Sequence, residues 1–160
     1  TEKTYQVDVP AGVDTGSTLR LTGRGAAGKR GGAAGDLYVH LRVAPHERFR
    51  REGDDLVTEL PVGIAQAALG ARFVLPTLDG DEEIVVPPGT QPGREFVLRG
   101  RGSHRVQGRG RGDLRVRVDV QVPTKVSEFE AELLKKFAES RGEQVQGEQR
   151  LMDRIKSAFQ

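Results

Sequence analysis

The residues of this chain best suited to chemistry are arginines set among glycines. Arg101-Gly102-Ser103-His104-Arg105-Val106-Gln107-Gly108-Arg109-Gly110-Arg111-Gly112 has the composition of an arginine–glycine RNA-binding tract. Guanidinium groups could neutralise phosphates there, but single-strand binders usually add aromatic rings on which bases stack. This tract contains none, and a solvated hairpin loop is the better reading. Gly23-Arg24-Gly25-Ala26-Ala27-Gly28 fits the spacing GxGxxG. That fingerprint works when a helix follows it and aims its N-terminus at a pyrophosphate. Here more glycines follow, so a nucleotide site is not expected. His40, His46 and His104 lack metal-ligand spacing and no carboxylate cluster accompanies them. No nucleophile–base–orienter set is suggested, and the chain is read as a non-enzyme.

The elements that carry these residues are duplicated. Val9-Pro10-Ala11-Gly12 returns as Val86-Pro87-Pro88-Gly89, offset by 77 residues. Leu21-Thr22-Gly23-Arg24-Gly25 returns as Leu98-Arg99-Gly100-Arg101-Gly102, and Gly35-Asp36-Leu37 as Gly112-Asp113-Leu114. Fourteen of the 35 positions in 9–43 and 86–120 are identical without a gap, which points to one supersecondary unit used twice. The Arg111-Gly112-Asp113 tripeptide is therefore no adhesion signal, because Gly112-Asp113 belongs to the repeat. Asp36 and Asp113 read as turn residues before a strand. The second copy is preceded by a lead-in from Asp55. By the same offset the lead-in of the first would begin about 22 residues before Thr1, so the chain is expected to be a C-terminal fragment cut inside its first repeat.

Composition sets further bounds. With 36% apolar residues, 5% aromatics and no Trp, two domains of this size must have thin aliphatic cores. The net charge of +2 gives no global field for nucleic acid or membrane. No Cys is present, which removes disulfides and thiol metal sites from this span and fits a reducing compartment. No stretch approaches 18 apolar residues and no signal peptide opens the chain; a soluble, cytoplasmic protein is expected.

Period-two alternation predicts strands at Tyr5–Val9, Leu19–Leu21, Leu37–Val43, Arg72–Leu75, Glu83–Val86, Glu95–Leu98 and Leu114–Val122. Residues 23–35 form a long loop, Gly63–Leu69 about two helical turns, and Ala44–Asp54 a polar connection with no strand pattern except for Phe49. From Ser127 the pattern becomes helical. Ser127 and Glu130 make a capping box, Val126, Phe129, Leu133, Leu134 and Phe137 share one stripe, and Gly142 ends the helix. Leu151, Ile155 and Phe159 mark a last amphipathic segment. The expected organisation is a first β domain at 1–50, a second at 51–125 and a helical tail at 126–160. Most of the apolar strand faces must be core. An open strand edge beside them could nevertheless accept an extended peptide as an added strand.

Val9 to Gly16, Gly35-Asp36-Leu37-Tyr38-Val39, His46-Glu47-Arg48-Phe49-Arg50-Arg51-Glu52-Gly53-Asp54-Asp55-Leu56, Ala67-Ala68-Leu69-Gly70, Pro76 to Gly80 and Val86 to Gln91 resemble the C-terminal region of DnaJ cochaperones. The resemblance covers about residues 3–140. It implies two tandem β-sandwich-like substrate-binding domains followed by a dimerising C-terminal helix, without enzymatic activity. It implies binding of exposed apolar segments of unfolded clients and their delivery to a DnaK-type chaperone. Its peptide pocket maps here to the strand with Tyr5 and Val7, the strand with Val39 and Leu41, and Phe49 closing one end. The dimer contact maps to Phe129, Leu133, Leu134 and Phe137. The family's J domain, which stimulates ATP hydrolysis, and its zinc-binding cysteine module have no counterpart in this sequence. It lacks a His-Pro-Asp motif and any Cys, so no cofactor is carried over, although zinc belongs to the full-length family protein. A β-rich RNA-binding module using the Arg-Gly loops is the alternative from a different class.

Overall fold

Alternation and glycine placement build a β-rich chain with a terminal helix. The computed structural model describes residues 2–146. The chain divides into two compact units, Thr1–Gln121 and Val122–Gln160.

In the first unit, β1 (Thr18–Leu21) pairs antiparallel with β2 (Leu37–His40). β3 (Arg50–Glu52) forms a hairpin with β4 (Asp55–Gly63). A single helical passage, α1 (Ile64–Leu69), leads to the hairpin of β5 (Ala71–Thr77) and β6 (Gly80–Val86). β7 (Glu95–Leu98) and β8 (Leu114–Gln121) complete a four-stranded sheet of order β3-β4-β8-β7, in which β4 and β8 are parallel.

The repeat survives in the register. β1 pairs Thr18 with His40 and Leu21 with Leu37; β7 pairs Glu95 with Arg117 and Leu98 with Leu114, the same positions displaced by 77. Gly12, Gly16 and Gly23 have positive φ, and so do Gly89, Gly93 and Gly100, a conformation that glycine adopts without steric cost. The Gly23 N–H donates to the Asp36 carboxylate at 3.0 Å, and the Gly100 N–H to Asp113 at 2.9 Å. The turn role read for both aspartates is thus explained.

Core packing follows strand parity. On β4 and β8, Leu56, Leu60, Val62, Leu114, Val116 and Val118 face one way and meet Leu75, Ile84 and Val86 from β5 and β6. Two sheets thereby enclose one core, with Phe96 and Leu98 at its margin. The other sheet face is ionic: the Arg115 guanidinium reaches Glu52 on β3 at 2.6 Å and Glu95 on β7 at 3.0 Å.

Two sequence expectations change here. Tyr5–Val9 forms no strand. Its counterpart in the second copy, β6, forms by pairing with β5, whereas Tyr5–Val9 pairs with no strand among the described residues. Conversely, Ala44–Asp54 is not strandless: Arg50–Glu52 is β3, and it forms by pairing with β4 rather than by its own alternation.

The second unit contains α2 (Glu128–Ser140). The Ser127 hydroxyl accepts from the Glu130 N–H at 3.1 Å, while the Glu130 carboxylate accepts from the Ser127 N–H at 2.9 Å. At the other end Gly142, with φ +71°, donates to Glu139 and Glu143 donates to Ala138, the paired bonds of a Schellman stop. Leu151, Ile155 and Phe159 lie outside the described residues. Among the described residues no helix is long and apolar enough to cross a membrane.

Candidate functional site

The first copy presents its apolar strand face half-open. Register places Leu19 against Val39 and Leu21 against Leu37, and Leu41 continues the row, its N–H donating to the Ser17 carbonyl at 2.9 Å. All five are half-buried. The opposite face is polar. Thr18 meets His40 at 3.0 Å, and Arg20 Nε donates to Asp36 at 2.6 Å. The Gly23 N–H and the Arg20 guanidinium hold the Asp36 carboxyl below the usual carboxylate range.

The residues assigned to a peptide pocket are distributed unequally. Val39 and Leu41 share this face. Tyr5 is half-buried at the far end of β1, where the Arg24 guanidinium lies 5.4 Å from its ring centre. Val7 is half-buried off any strand. Phe49 is only 9% exposed and belongs to the core built on the four-stranded sheet, its ring 4.9 Å from that of His46. Chain order placed it with the first copy; packing places it with the second, because β3 begins at the next residue.

Sequence reading missed a cleft of about 360 Å³ lined by Val43, Pro45, Phe49, Leu56 and Leu78, with Asp14 and Arg51 beside them. One signal pointed there. Leu78 is 55% exposed in the two-residue turn between β5 and β6, where polar residues are the norm.

In the second unit, Phe129, Leu133, Leu134 and Phe137 recur on one side of α2 and are 70%, 50%, 38% and 56% exposed. Such a stripe is what an amphipathic helix normally buries.

The arginine–glycine loop is occupied with its own protein. Arg111 donates to Asp79 at 2.6 Å and to the Gly102 carbonyl at 2.8 and 3.0 Å. Arg101 reaches Glu82 at 2.8 Å. The guanidinium groups of Arg101 and Arg111 are thus engaged with carboxylates and backbone. Nor do the residues present fit zinc. The sequence has no Cys, and among the described residues no three His, Asp or Glu side chains gather.

These features define a duplicated β module with a half-open apolar strand face and a capped amphipathic helix. The chain belongs to the DnaJ C terminal domain family, whose profile matches residues 1–123. It is 48% identical over 158 residues to the chaperone protein DnaJ of Natronomonas pharaonis, covering 99% of this chain and 42% of that protein. It is 52% identical over 135 residues to the chaperone protein DnaJ of Syntrophobacter fumaroxidans, covering 84% and 35%. With the corresponding protein of Ruminiclostridium cellulolyticum it shares 44% over 158 residues, covering 98% and 42%. The chain thus spans less than half the length of these curated relatives.

Proposed function

We propose that this chain is the client-holding and dimerising part of a DnaJ-type cochaperone. It acts in the cytoplasm without catalysing a reaction, and passes unfolded proteins to a DnaK-type chaperone. The observation that carries this reading is the half-open row Leu19, Leu21, Leu37, Val39 and Leu41 beside a two-stranded sheet whose strands are both edges. An extended apolar segment can add to such an edge through main-chain hydrogen bonds while its side chains fill the row. The stripe on α2 supports a homodimer, since a two-fold axis lets one patch cover its own copy. Two binding arms would then raise avidity for a long unfolded chain.

A fluorescent apolar peptide tests the reading by anisotropy. Capture is expected at both low and high salt, whereas phosphate binding would weaken steeply. Val39→Asp places a charge in the row and should abolish capture in a chain that remains folded. Undiminished capture by folded Val39→Asp removes the site. Light scattering of the intact chain at tens of micromolar should give a dimer; a monomer removes the two-armed arrangement.

A further inference from the structure

We propose that Arg51 is a clasp that fixes the orientation of the first repeat copy on the second. Its guanidinium sits on β3, yet it donates from Nη1 to the Val13 carbonyl at 2.8 Å and from Nη2 to the Gly12 carbonyl at 2.6 Å. The remaining nitrogen, Nε, donates to the Gly53 carbonyl at 2.7 Å in its own hairpin turn. The carboxylates of Asp14 and Asp54 flank it, each at 3.7 Å. One planar fork thus ties the turn of the first copy to the β3–β4 turn of the second, a geometry that suits guanidinium and not ammonium.

A second contact supports the first. A Cβ on Gly12 would lie 1.9 Å from the His104 carbonyl oxygen, so this turn seats directly on the backbone of the second copy's glycine-rich loop. The neighbouring Ser103 N–H donates to the Asp54 carbonyl at 2.9 Å. Three segments from two copies therefore converge beside a single side chain. The equivalent turn of the second copy is held differently: Gly89 and Thr90 donate to the Ala67 carbonyl of α1 at 2.9 and 3.0 Å. The repeat uses this turn as a docking element twice, with α1 as its seat in one copy and Arg51 in the other. Between the copies, residues 44–48 form no strand or helix, and modules joined in this way move against each other unless an interface holds them. The cleft of Val43, Phe49 and Leu78 lies beside the clasp, so its width follows the same contact.

The absence of Cys makes the test direct. Spin labels on Thr22→Cys in the first copy and Asp81→Cys in the second report the distance between them by dipolar spectroscopy. With Arg51 present a single narrow distance is expected. Arg51→Ala and Arg51→Lys should both lose it and give a broad distribution, while the Val116 and Val118 amides keep their protection from hydrogen exchange. That protection separates loosening of the joint from unfolding of the second copy. If Arg51→Ala lowers the protection, Arg51→Lys, which keeps the cation, decides. An unchanged narrow distance in Arg51→Lys, or a broad one in the parent chain, overturns the clasp.

Discussion

Leu37, Val39 and Leu41 of the first copy and Leu114, Val116 and Val118 of the second hold equivalent places in equivalent hairpins. The first three are half-buried, while the second three are exposed by 1% or less. Local sequence is the same in kind at both places: a glycine with positive φ, an aspartate holding a glycine N–H, and alternating aliphatic residues. What differs is the company. β8 has β4 along its other edge and the β5–β6 hairpin across its face; among the described residues β2 pairs with β1 alone. The hairpin is written locally and its burial is not. One unit can therefore serve as a closed core in one copy and as an open face in the other.

The widest separation between the copies should appear in cavity-forming substitutions. Leu114→Ala, at a site with no exposed surface, should cost about 2–5 kcal/mol. Leu37→Ala removes the same atoms from a half-buried site and should cost about 1 kcal/mol, since part of the transfer term is already missing. Urea denaturation of each variant checks the ratio. Equal costs would mean that the first copy is sealed as tightly as the second.

Glycine substitutions give a smaller contrast. A Cβ on Gly112 would meet the Asp54 carbonyl oxygen at 2.0 Å, whereas at Gly35 the nearest atom lies 3.9 Å away. Neither has positive φ, so the difference is one of close approach alone. Gly112→Ala should lose about 1–3 kcal/mol through overpacking. Gly35→Ala should be neutral or gain up to about 1 kcal/mol through a less flexible unfolded chain. The same denaturation series reads both, and a penalty at Gly35 would show that a further element closes on the first copy.

The repeat and its strands were legible because glycine, aspartate and period-two alternation act over a few residues. The cap of α2 was legible for the same reason: Ser127 and Glu130 are neighbours along one turn. Tyr5–Val9 shows the limit. It alternates well, yet a strand needs a partner, and alternation does not reveal whether one is present. β3 fails in the opposite sense, since Arg50-Arg51-Glu52 has no apolar rhythm and is recruited by pairing to β4 and by the Glu52–Arg115 bridge. Phe49 could not be assigned from order along the chain because its packing partners come from later strands. Arg51 stands among Arg48 and Arg50, and only the fold singles it out.

The smallest expected difference is electrostatic and lies at position 20, where the second copy has Val97. Arg20 donates to Asp36, whereas Asp113 accepts the Gly100 N–H with no arginine at the equivalent place. The folded-state pKa of Asp36 is lowered by the Gly23 N–H and then by Arg20. A lowered carboxyl stabilises the fold at pH above its unfolded value of about 3.9, and that contribution disappears as pH falls through the depressed value. The pair is largely solvated on the Arg20 side, so salt screening keeps the effect small. Replacing Arg20 by the residue of the other copy, Arg20→Val, should move the Asp36 midpoint upward toward the ordinary range. It should not reach that range, because the Gly23 N–H remains. The Gly23 amide shift, followed by NMR from neutral to acid pH, reports the midpoint directly. A midpoint unchanged in Arg20→Val would assign the whole depression to the backbone donor. The contrast between the copies at this turn would then rest on burial and not on the Arg20 charge.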